Sequence, residues 1–191
     1  MKNTDYLMPM KWLLTFSSEP VRSPSLLTSV LEPVHSPDYF LHIAEKLADM
    51  GVQLICLKDM GGMLAPYPAY EIIKKIKSRI ALPLHLHSHC TAGLAPMSYM
   101  MAIEPGADII DTAMSPFSQG TSQPATEQFV AAPKDTPYDT GLDLGELSKI
   151  ADYFYGVRRN YAEFESPVNN QIKTCVLLSH MPCGLLSTLV G

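Results

Sequence analysis

Three histidines at alternate positions, His85, His87 and His89, are the residues of this sequence best suited to chemistry. Every second side chain of a β-strand points to the same face, so these imidazoles can be presented together. Neutral imidazole is a common ligand of zinc and related divalent cations. The spacing leaves two interpretations open, a metal site and a set of polar groups satisfied at the end of a strand.

Other polar groups follow two further apolar runs. Lys58 and Asp59 come after the run 52–57, and Asp111 and Thr112 close the run 107–112. A lysine that points inward must find a partner, lose its charge or be modified. One that points outward keeps its ammonium group in water, and the sequence alone favours this second interpretation for Lys58. Asp111 is either a hydrogen-bond partner of a metal-binding histidine or a cap of the strand end.

The elements that must position these residues alternate between short apolar runs and amphipathic helices. Ser36 and Pro37 predict the start of a helix, and Gly51 predicts its end. The same reasoning predicts helices at 67–79, 93–104, 125–132 and 144–161, and strands at 52–57, 84–87, 107–112 and 172–178, with a further candidate strand at 26–31. Repeats of about 25–30 residues indicate βαβ units and hence an α/β fold with a parallel sheet. The repeat alone does not distinguish an open sheet from a closed barrel.

Composition restricts the class of protein. A net charge of -5 offers no basic surface for phosphates, which argues against a nucleic-acid partner. The four cysteines have no paired spacing, which is typical of a protein of the reducing cytoplasm. Cys90 beside His89 lacks the third group that would orient a thiol nucleophile. With 191 residues, the chain is short for a closed eight-stranded barrel of about 250 residues.

Five motifs, in this order, resemble the carboxyltransferase domain of oxaloacetate decarboxylase α subunits, pyruvate carboxylase and related enzymes of the HMG-CoA lyase-like superfamily. They are Leu57-Lys58-Asp59-Met60, His85-Leu86-His87-Ser88-His89, Asp111-Thr112-Ala113, Gly120-Thr121-Ser122-Gln123-Pro124 and Asp139-Thr140-Gly141-Leu142-Asp143. The resemblance extends over residues 33–189. It implies a (β/α)₈ TIM-type barrel of which this chain holds four to five βα units. An atypical segment, 1–32, would replace the first barrel units, and 33–191 would form the partial barrel domain.

The resemblance also implies a site. A divalent metal, zinc or manganese, would be bound by His87, His89 and a carbamate that CO₂ forms on Lys58. Thr121 would shuttle a proton between biotin and the keto acid, so Lys58 and Thr121 would be the catalytic residues. Thr121, Ser122 and Gln123 would contact the biotin cofactor, whereas Asp59 and Asp111 would support the metal ligands.

The implied reaction is biotin-dependent carboxyl transfer, the decarboxylation of oxaloacetate to pyruvate or its reverse. Biotin would arrive on a carrier domain or subunit. The chain would work in the cytoplasm, in an oligomer or complex. It would lie next to the inner membrane if membrane subunits of a decarboxylase belong to that complex.

The family pattern is not complete in this sequence. The four arginines, Arg22, Arg79, Arg158 and Arg159, never precede an aspartate, so the family's Arg-Asp pair and its aspartate ligand are unmatched. Two alternatives therefore remain, a catalytically silent fragment or assembly subunit that pairs with a partner chain, and a lyase of the aldolase-like branch. Lys58 and the Thr121-Ser122-Gln123-Pro124 motif argue against that branch.

Overall fold

The computed structural model describes residues 25–27, 35–165, 171–173 and 177. Within them, strands and helices alternate, as the sequence predicts. The strands are β1 (Ser25–Leu27), β2 (Ile55–Asp59), β3 (Leu84–Ser88) and β4 (Ile109–Ile110). The helices are α1 (Pro37–Asp49), α2 (Pro66–Lys77), α3 (Ala95–Ile103), α4 (Thr126–Ala131) and α5 (Leu144–Arg159).

Helix α1 has the boundaries that its sequence predicts. The Ser36 hydroxyl accepts a hydrogen bond from the Tyr39 amide at 3.2 Å, and Pro37 occupies the first turn. The chain leaves the helix through Gly51, whose φ of +80° is a conformation that glycine adopts without strain. Phe40 and Ala44 form the buried stripe of the helix.

The four strands of the described residues form one parallel sheet in the order β1-β2-β3-β4. Each strand pairs with the next one along the chain, and the intervening helix provides the crossover. The predicted α/β class with parallel strands is therefore confirmed. Functional groups at the carboxyl ends of such strands lie along one edge of the sheet.

The main core lies between the sheet and the helices that cover it. Leu57, Leu84 and Leu86 of the sheet are buried together with Ile73 and Tyr99 of the helices. A smaller cluster joins α4 and α5 to the loop that follows β4, and it comprises Met114, Val130, Leu147 and Ala151. These two clusters hold the strand ends and the loops after β3 and β4 in place.

The predicted strand at 172–178 is wrong at each of its described residues. Ile172 and Lys173 are not in a strand, and Leu177 has helical backbone. The Lys173 amide donates to the Thr91 carbonyl at 2.8 Å, and the Ile172 side chain lies over Gly93. Ile172 and Lys173 thus contact the loop after β3 instead of adding to a strand, because an apolar run specifies burial and not a pairing partner.

Two other predictions from the sequence either differ from the structure or concern residues of which the structure describes only a part. The strand predicted at 107–112 is reduced to two residues, because Ala107 bonds to the end of α3 and Asp111 begins a loop. The predicted segment 1–32 is described only at Ser25–Leu27, and these residues form β1 of the same sheet. The division at residue 33 lies outside the described residues and stays a prediction.

In the parts of the chain that the structure describes, no helix combines the length and the apolar character needed to cross a membrane.

Candidate metal centre

The pairing of β2 with β3 determines which side chains share a face. Lys58 pairs with His87, and Cys56 pairs with His85. Paired residues of neighbouring strands point to the same face, and the alternating residue Leu86 lies fully buried on the helix-covered face. Lys58, His85 and His87 therefore project together from the opposite face. A placement of Lys58 and His87 on different faces would have excluded the predicted cluster.

The imidazoles of His87 and His89 converge through one nitrogen each. Their Nε2 atoms lie 3.3 Å apart, and the rings meet edge to face. The Nδ1 atom of His87 lies 2.6 Å from Oδ2 of Asp111, and Nδ1 of His89 lies 2.6 Å from the Thr121 carbonyl oxygen. A carbonyl oxygen and an ionised carboxylate only accept hydrogen bonds, so both Nδ1 atoms carry the hydrogen.

With the hydrogen of each ring at Nδ1, the two Nε2 atoms that face each other carry lone pairs. Lone pairs at this distance repel each other, and a proton or a metal cation between the two atoms relieves the repulsion. Nitrogens held at about 2.0–2.1 Å by a tetrahedral zinc ion lie about 3.3–3.4 Å apart, which matches the pair. Orientation of each ligating ring by a carboxylate or carbonyl at its other nitrogen is also usual in metal sites. His87 and His89 thus fit the metal that the sequence predicts.

The charges around the pair favour neutral imidazole at His89. Burial lowers the pKa of His89, and the charges of His87 and Lys58 lower it further, which together outweigh the Thr121 carbonyl and the charge of Asp59, both of which raise it. Burial alone would raise the pKa of Asp111, but its contacts with His85 and His87 hold it well below the usual range. Asp111 is therefore the ionised acceptor that the hydrogen on His87 Nδ1 requires.

His85 is the third member of the alternating set and turns to the same carboxylate. Its Nε2 atom lies 2.8 Å from Oδ1 of Asp111, although the angle falls outside that of a hydrogen bond. Burial lowers the pKa of His85, but the contacts with Asp111 and Cys56 outweigh burial and raise it to about 10. Of the three alternating histidines, the structure thus brings two into a pair and places the third against Asp111, the carboxylate that also contacts His87.

A tight turn brings Thr121 to the pair. Gln119 and Gly120 have φ angles of 71° and 56°, and the Ser122 amide donates to the Gln119 carbonyl at 2.9 Å. The turn points the Thr121 carbonyl at His89 and leaves the Thr121 side chain exposed. Thr121 therefore contributes its main chain to the histidine pair and is itself an exposed residue.

The rest of this turn is joined to the loop after β3. The Ser122 carbonyl accepts from the Cys90 amide at 2.8 Å. The Gln123 side-chain amide nitrogen lies 3.5 Å from His87 Nε2, and its oxygen lies 3.4 Å from the Ser122 hydroxyl. Thr121, Ser122 and Gln123, predicted to contact biotin, thus all lie beside the imidazole pair.

The Asp59 carboxylate bonds to the loop after β2 and to the end of β3, and its predicted support of the metal ligands stays a prediction. Its side chain is fully buried and accepts from the Met63 and Leu64 amides and from the Ser88 hydroxyl, at 3.1, 2.8 and 2.8 Å. Burial raises the pKa of Asp59 although these hydrogen bonds oppose the shift. Asp59 therefore holds the loop after β2 against the end of β3 instead of contacting an imidazole.

The same loop touches the backbone of the histidine segment at Gly62. A Cβ atom on Gly62 would lie 2.5 Å from the His89 carbonyl oxygen, and the φ angle of the residue is +65°. The His89 amide in turn donates to the Asp59 carbonyl at 3.2 Å. Sequence reasoning missed Gly62, although the Gly61-Gly62 pair directly after a strand signals a close backbone approach.

The two imidazoles are not joined by a third ligand of the usual residue types within the described part of the chain. Among the residues that the structure describes, no three or more His, Cys, Asp or Glu side chains are grouped to hold a metal. Lys58 is half-buried, pairs with His87 across the sheet, and contributes to the electrostatics of His89. A protonated ammonium group would repel a cation there, whereas a modified lysine could supply an oxygen ligand.

The motif Asp139-Thr140-Gly141-Leu142-Asp143 builds local structure. Asp139 accepts from the Gly141 amide at 2.8 Å, and Asp143 caps α5 by accepting from the Glu146 amide at 2.9 Å. A cavity of about 310 Å³ lies beside this turn, lined in part by Lys134 and Leu142. The motif thus fixes how α5 begins.

Comparison with known proteins gives the family of the chain. Residues 31–154 match the HMGL-like family model. The chain is 51% identical to a pyruvate carboxylase subunit of Methanocaldococcus jannaschii over 154 residues, 81% of this chain and 27% of that protein. It is 40% identical to the methylmalonyl-CoA carboxyltransferase 5S subunit of Propionibacterium freudenreichii subsp. shermanii, over 78% of this chain and 30% of that subunit.

Solved structures give the same result. The carboxyl transferase domain of Rhizobium etli pyruvate carboxylase with 3-hydroxypyruvate superposes with a TM-score of 0.82 at 32% identity, covering 87% of this chain and 29% of that one. The same domain with pyruvate and biocytin superposes with a TM-score of 0.80. The predicted carboxyltransferase fold of the TIM-barrel type is confirmed, as a partial sheet. The chain spans less than a third of the length of these relatives.

Proposed function

Because the chain belongs to the HMGL-like family, we propose that it provides the metal-binding part of a biotin-dependent carboxyltransferase acting on pyruvate and oxaloacetate. The observation that carries the proposal is the 3.3 Å approach of the His87 and His89 Nε2 atoms, whose lone pairs face each other. The relatives support the substrate class, since two of them are a pyruvate carboxylase subunit and a carboxyltransferase subunit.

His87, His89 and a carbamate on Lys58 would hold a divalent zinc or manganese ion. Such an ion polarises the carbonyl group of a bound keto acid and stabilises negative charge that develops on its oxygen. Asp111 and the Thr121 carbonyl accept the Nδ1 hydrogens and so turn the Nε2 atoms of the two imidazoles toward each other. Asp59 and Gly62 hold the backbone on which His89 sits.

Thr121 would move the proton. In the decarboxylation direction, the bond between the carboxyl group and C3 of oxaloacetate breaks, and a bond forms between that carboxyl group and N1 of biotin. The proton that leaves N1 passes through the Thr121 hydroxyl to C3 of the resulting pyruvate. The exposed position of the Thr121 side chain supports this role, because a carrier-borne cofactor has to reach it from outside.

Biotin would come from a carrier domain of a longer protein or from a separate subunit. The names of the relatives support this, since two of them are subunits. The aspartate ligand that the resemblance implies, and the groups that hold the substrate carboxylate, would come from regions that the longer relatives also contain. Contact with membrane subunits of a decarboxylase and a place in the cytoplasm stay predictions.

Metal binding tests the proposal most directly. Purified chain, freed of metal and supplied with bicarbonate, is titrated with Mn²⁺ and Zn²⁺ beside Lys58→Ala and His87→Ala. Lys46→Ala and His42→Ala serve as matched controls, because both residues lie on α1, away from the sheet edge that carries the site. We expect tight binding in the unchanged chain and the controls, and weak binding in both site variants. Equal binding in all five proteins would exclude the site.

A functional assay separates the enzyme from the alternative of a silent assembly subunit. Oxaloacetate decarboxylation is followed with free biotin, with a biotinylated carrier domain, and with candidate partner chains. Metal-dependent activity that Thr121→Ala abolishes supports the enzyme. A complex with a partner that shows the same activity with the unchanged chain and with Thr121→Ala would favour the assembly subunit.

A further inference from the structure

The carboxylate of Asp111 contacts two imidazoles, one with each oxygen. Oδ2 lies 2.6 Å from Nδ1 of His87, and Oδ1 lies 2.8 Å from Nε2 of His85. The three side chains are between 18% and 25% exposed, so solvent is largely excluded from both contacts. His87 is explained by the proposed metal site, whereas nothing proposed so far gives His85 a role.

The backbone places His85 where this carboxylate can satisfy it. His85 pairs with Ile109 in the sheet. Asp111 comes two residues after Ile109, just as His87 comes two residues after His85, so Asp111 lies level with His87. The Asp111 amide donates to the Leu86 carbonyl at 3.2 Å, which fixes the residue between the two histidines. The His85 Nε2 atom is buried and makes no hydrogen bond of good geometry among the described residues, and Oδ1 of Asp111 lies beside it at 2.8 Å.

We propose that His85 is a positioning residue that clamps the Asp111 carboxylate and thereby sets the orientation of the His87 ring. The purpose of this clamp is to present His87 Nε2 to a cation, and that purpose rests on the proposed function. With one oxygen held by His85, the carboxylate cannot rotate about its Cβ–Cγ bond without losing a contact. The other oxygen therefore stays in line with His87 Nδ1.

The consequence concerns both the direction and the tautomer of His87. A carboxylate free to rotate would let the His87 ring turn, and the 3.3 Å approach to His89 Nε2 would be lost. A rotating carboxylate would also weaken the preference for the tautomer with its hydrogen at Nδ1. That tautomer is the one that leaves Nε2 free to bind a metal. His85 would thus act on the cation through two intermediates, Asp111 and His87, without touching it.

The alternative is that His85 merely fills space between Asp111 and Cys56 of the neighbouring strand, with which it pairs. The two roles differ in what a substitution of similar volume does. His85→Gln keeps a polar N–H group long enough to reach Asp111, whereas His85→Asn keeps the amide but is too short. His85→Leu keeps volume and removes the polar group.

The test measures the His87 hydrogen bond and metal affinity separately. Chain labelled with ¹⁵N histidine is studied by NMR without metal, and the His87 Nδ1–H resonance is assigned by its loss in His87→Gln. We expect a low-field resonance in the unchanged chain, in His85→Gln and in the control His42→Leu. We expect it to be lost or shifted in His85→Asn and His85→Leu. An unchanged resonance in both of these variants overturns the proposal.

Mn²⁺ affinity is then measured on the same proteins. We expect affinity about 10–100-fold weaker in His85→Asn and His85→Leu, the usual effect of losing support behind a ligand, and near the original value in His85→Gln. If His85→Leu does not fold, the comparison of His85→Asn with His85→Gln still decides. If the resonance responds as expected but the unchanged chain binds no metal, the proposed function fails and the clamp stands.

Discussion

His89 is oriented by the main chain of Thr121, through a contact of 2.6 Å between its Nδ1 atom and the Thr121 carbonyl oxygen. Its neighbour in the pair, His87, is oriented by a side chain, the carboxylate of Asp111. The pair is therefore supported from two points, the end of β4 and the turn that follows it. Substitutions at Thr121 and Asp111 should consequently have different effects.

Replacement of Thr121 should separate metal binding from proton transfer. Thr121→Ala keeps the carbonyl that orients His89, so we expect Mn²⁺ affinity to change by less than about threefold. Loss of the hydroxyl should slow carboxyl transfer by about 10²–10⁴-fold, the usual contribution of a positioned acid or base. Thr121→Ser, which keeps the hydroxyl, should recover most of the rate. Titration calorimetry and the decarboxylation assay measure the two effects, and a parallel loss of both would contradict the division of roles.

Metal should stabilise the fold through the histidine pair. At a free Mn²⁺ concentration about 100 times the dissociation constant, binding stabilises the folded state by about 2.7 kcal/mol. For a chain of this size, that corresponds to a rise in Tm of about 5–10 °C. His89→Ala should remove the rise, whereas His42→Ala should keep it. A similar rise in all three proteins would place the binding elsewhere, as differential scanning fluorimetry with and without chelator would reveal.

Gly62→Ala should disturb the metal site through the backbone. The φ angle of +65° costs a residue with a Cβ atom about 1–3 kcal/mol, and that atom would lie 2.5 Å from the His89 carbonyl oxygen. We expect a lower free energy of unfolding and a weaker affinity for Mn²⁺. Gly61→Ala is the matched control, because its Cβ would meet the flexible end of Met63 instead of backbone. Equal affinities in the two variants would remove Gly62 from the support of His89.

Asp59→Asn should destabilise the chain while leaving the imidazoles in place. Both carboxylate oxygens accept hydrogen bonds, so one amide N–H group of asparagine must face a donor, Met63 or Leu64. A buried mismatch of this kind costs about 1–3 kcal/mol. Urea denaturation measures it, with Asp152→Asn on the exposed face of α5 as the control. A variant as stable as the unchanged chain would show that Asp59 is not the structural support described above.

The sequence predicted most of the elements because their signals are local. Ser36, Pro37 and Gly51 mark the ends of α1, and alternation along β3 predicted that His85 and His87 would share a face. The ligand pair and Thr121 could be named because the motifs occur in a known order. Lys58 was assigned from the resemblance, since the residues alone favour a lysine that points to water.

The remaining features depend on contacts between distant residues. Nothing in the spacing of His85 and Asp111 reveals that one carboxylate serves two rings, because the register of β3 with β4 decides it. The use of the Thr121 carbonyl, and not its side chain, follows from the turn that Gln119 and Gly120 make. The strand predicted at 172–178 was wrong at its described residues Ile172, Lys173 and Leu177, and Lys173 bonds to the loop at Thr91 rather than to a strand.

The strand order β1-β2-β3-β4 repeats the order of the chain. Three successive strands and the loops after them therefore supply Lys58, the two paired imidazoles, Asp111 and Thr121. Contacts among these residues close only short loops of the chain, so their cost in chain entropy is small. The stretch 55–126 consequently contains each ring together with the group that orients it. Recombination with breakpoints outside this stretch would therefore transfer the two histidines together with the groups that orient them.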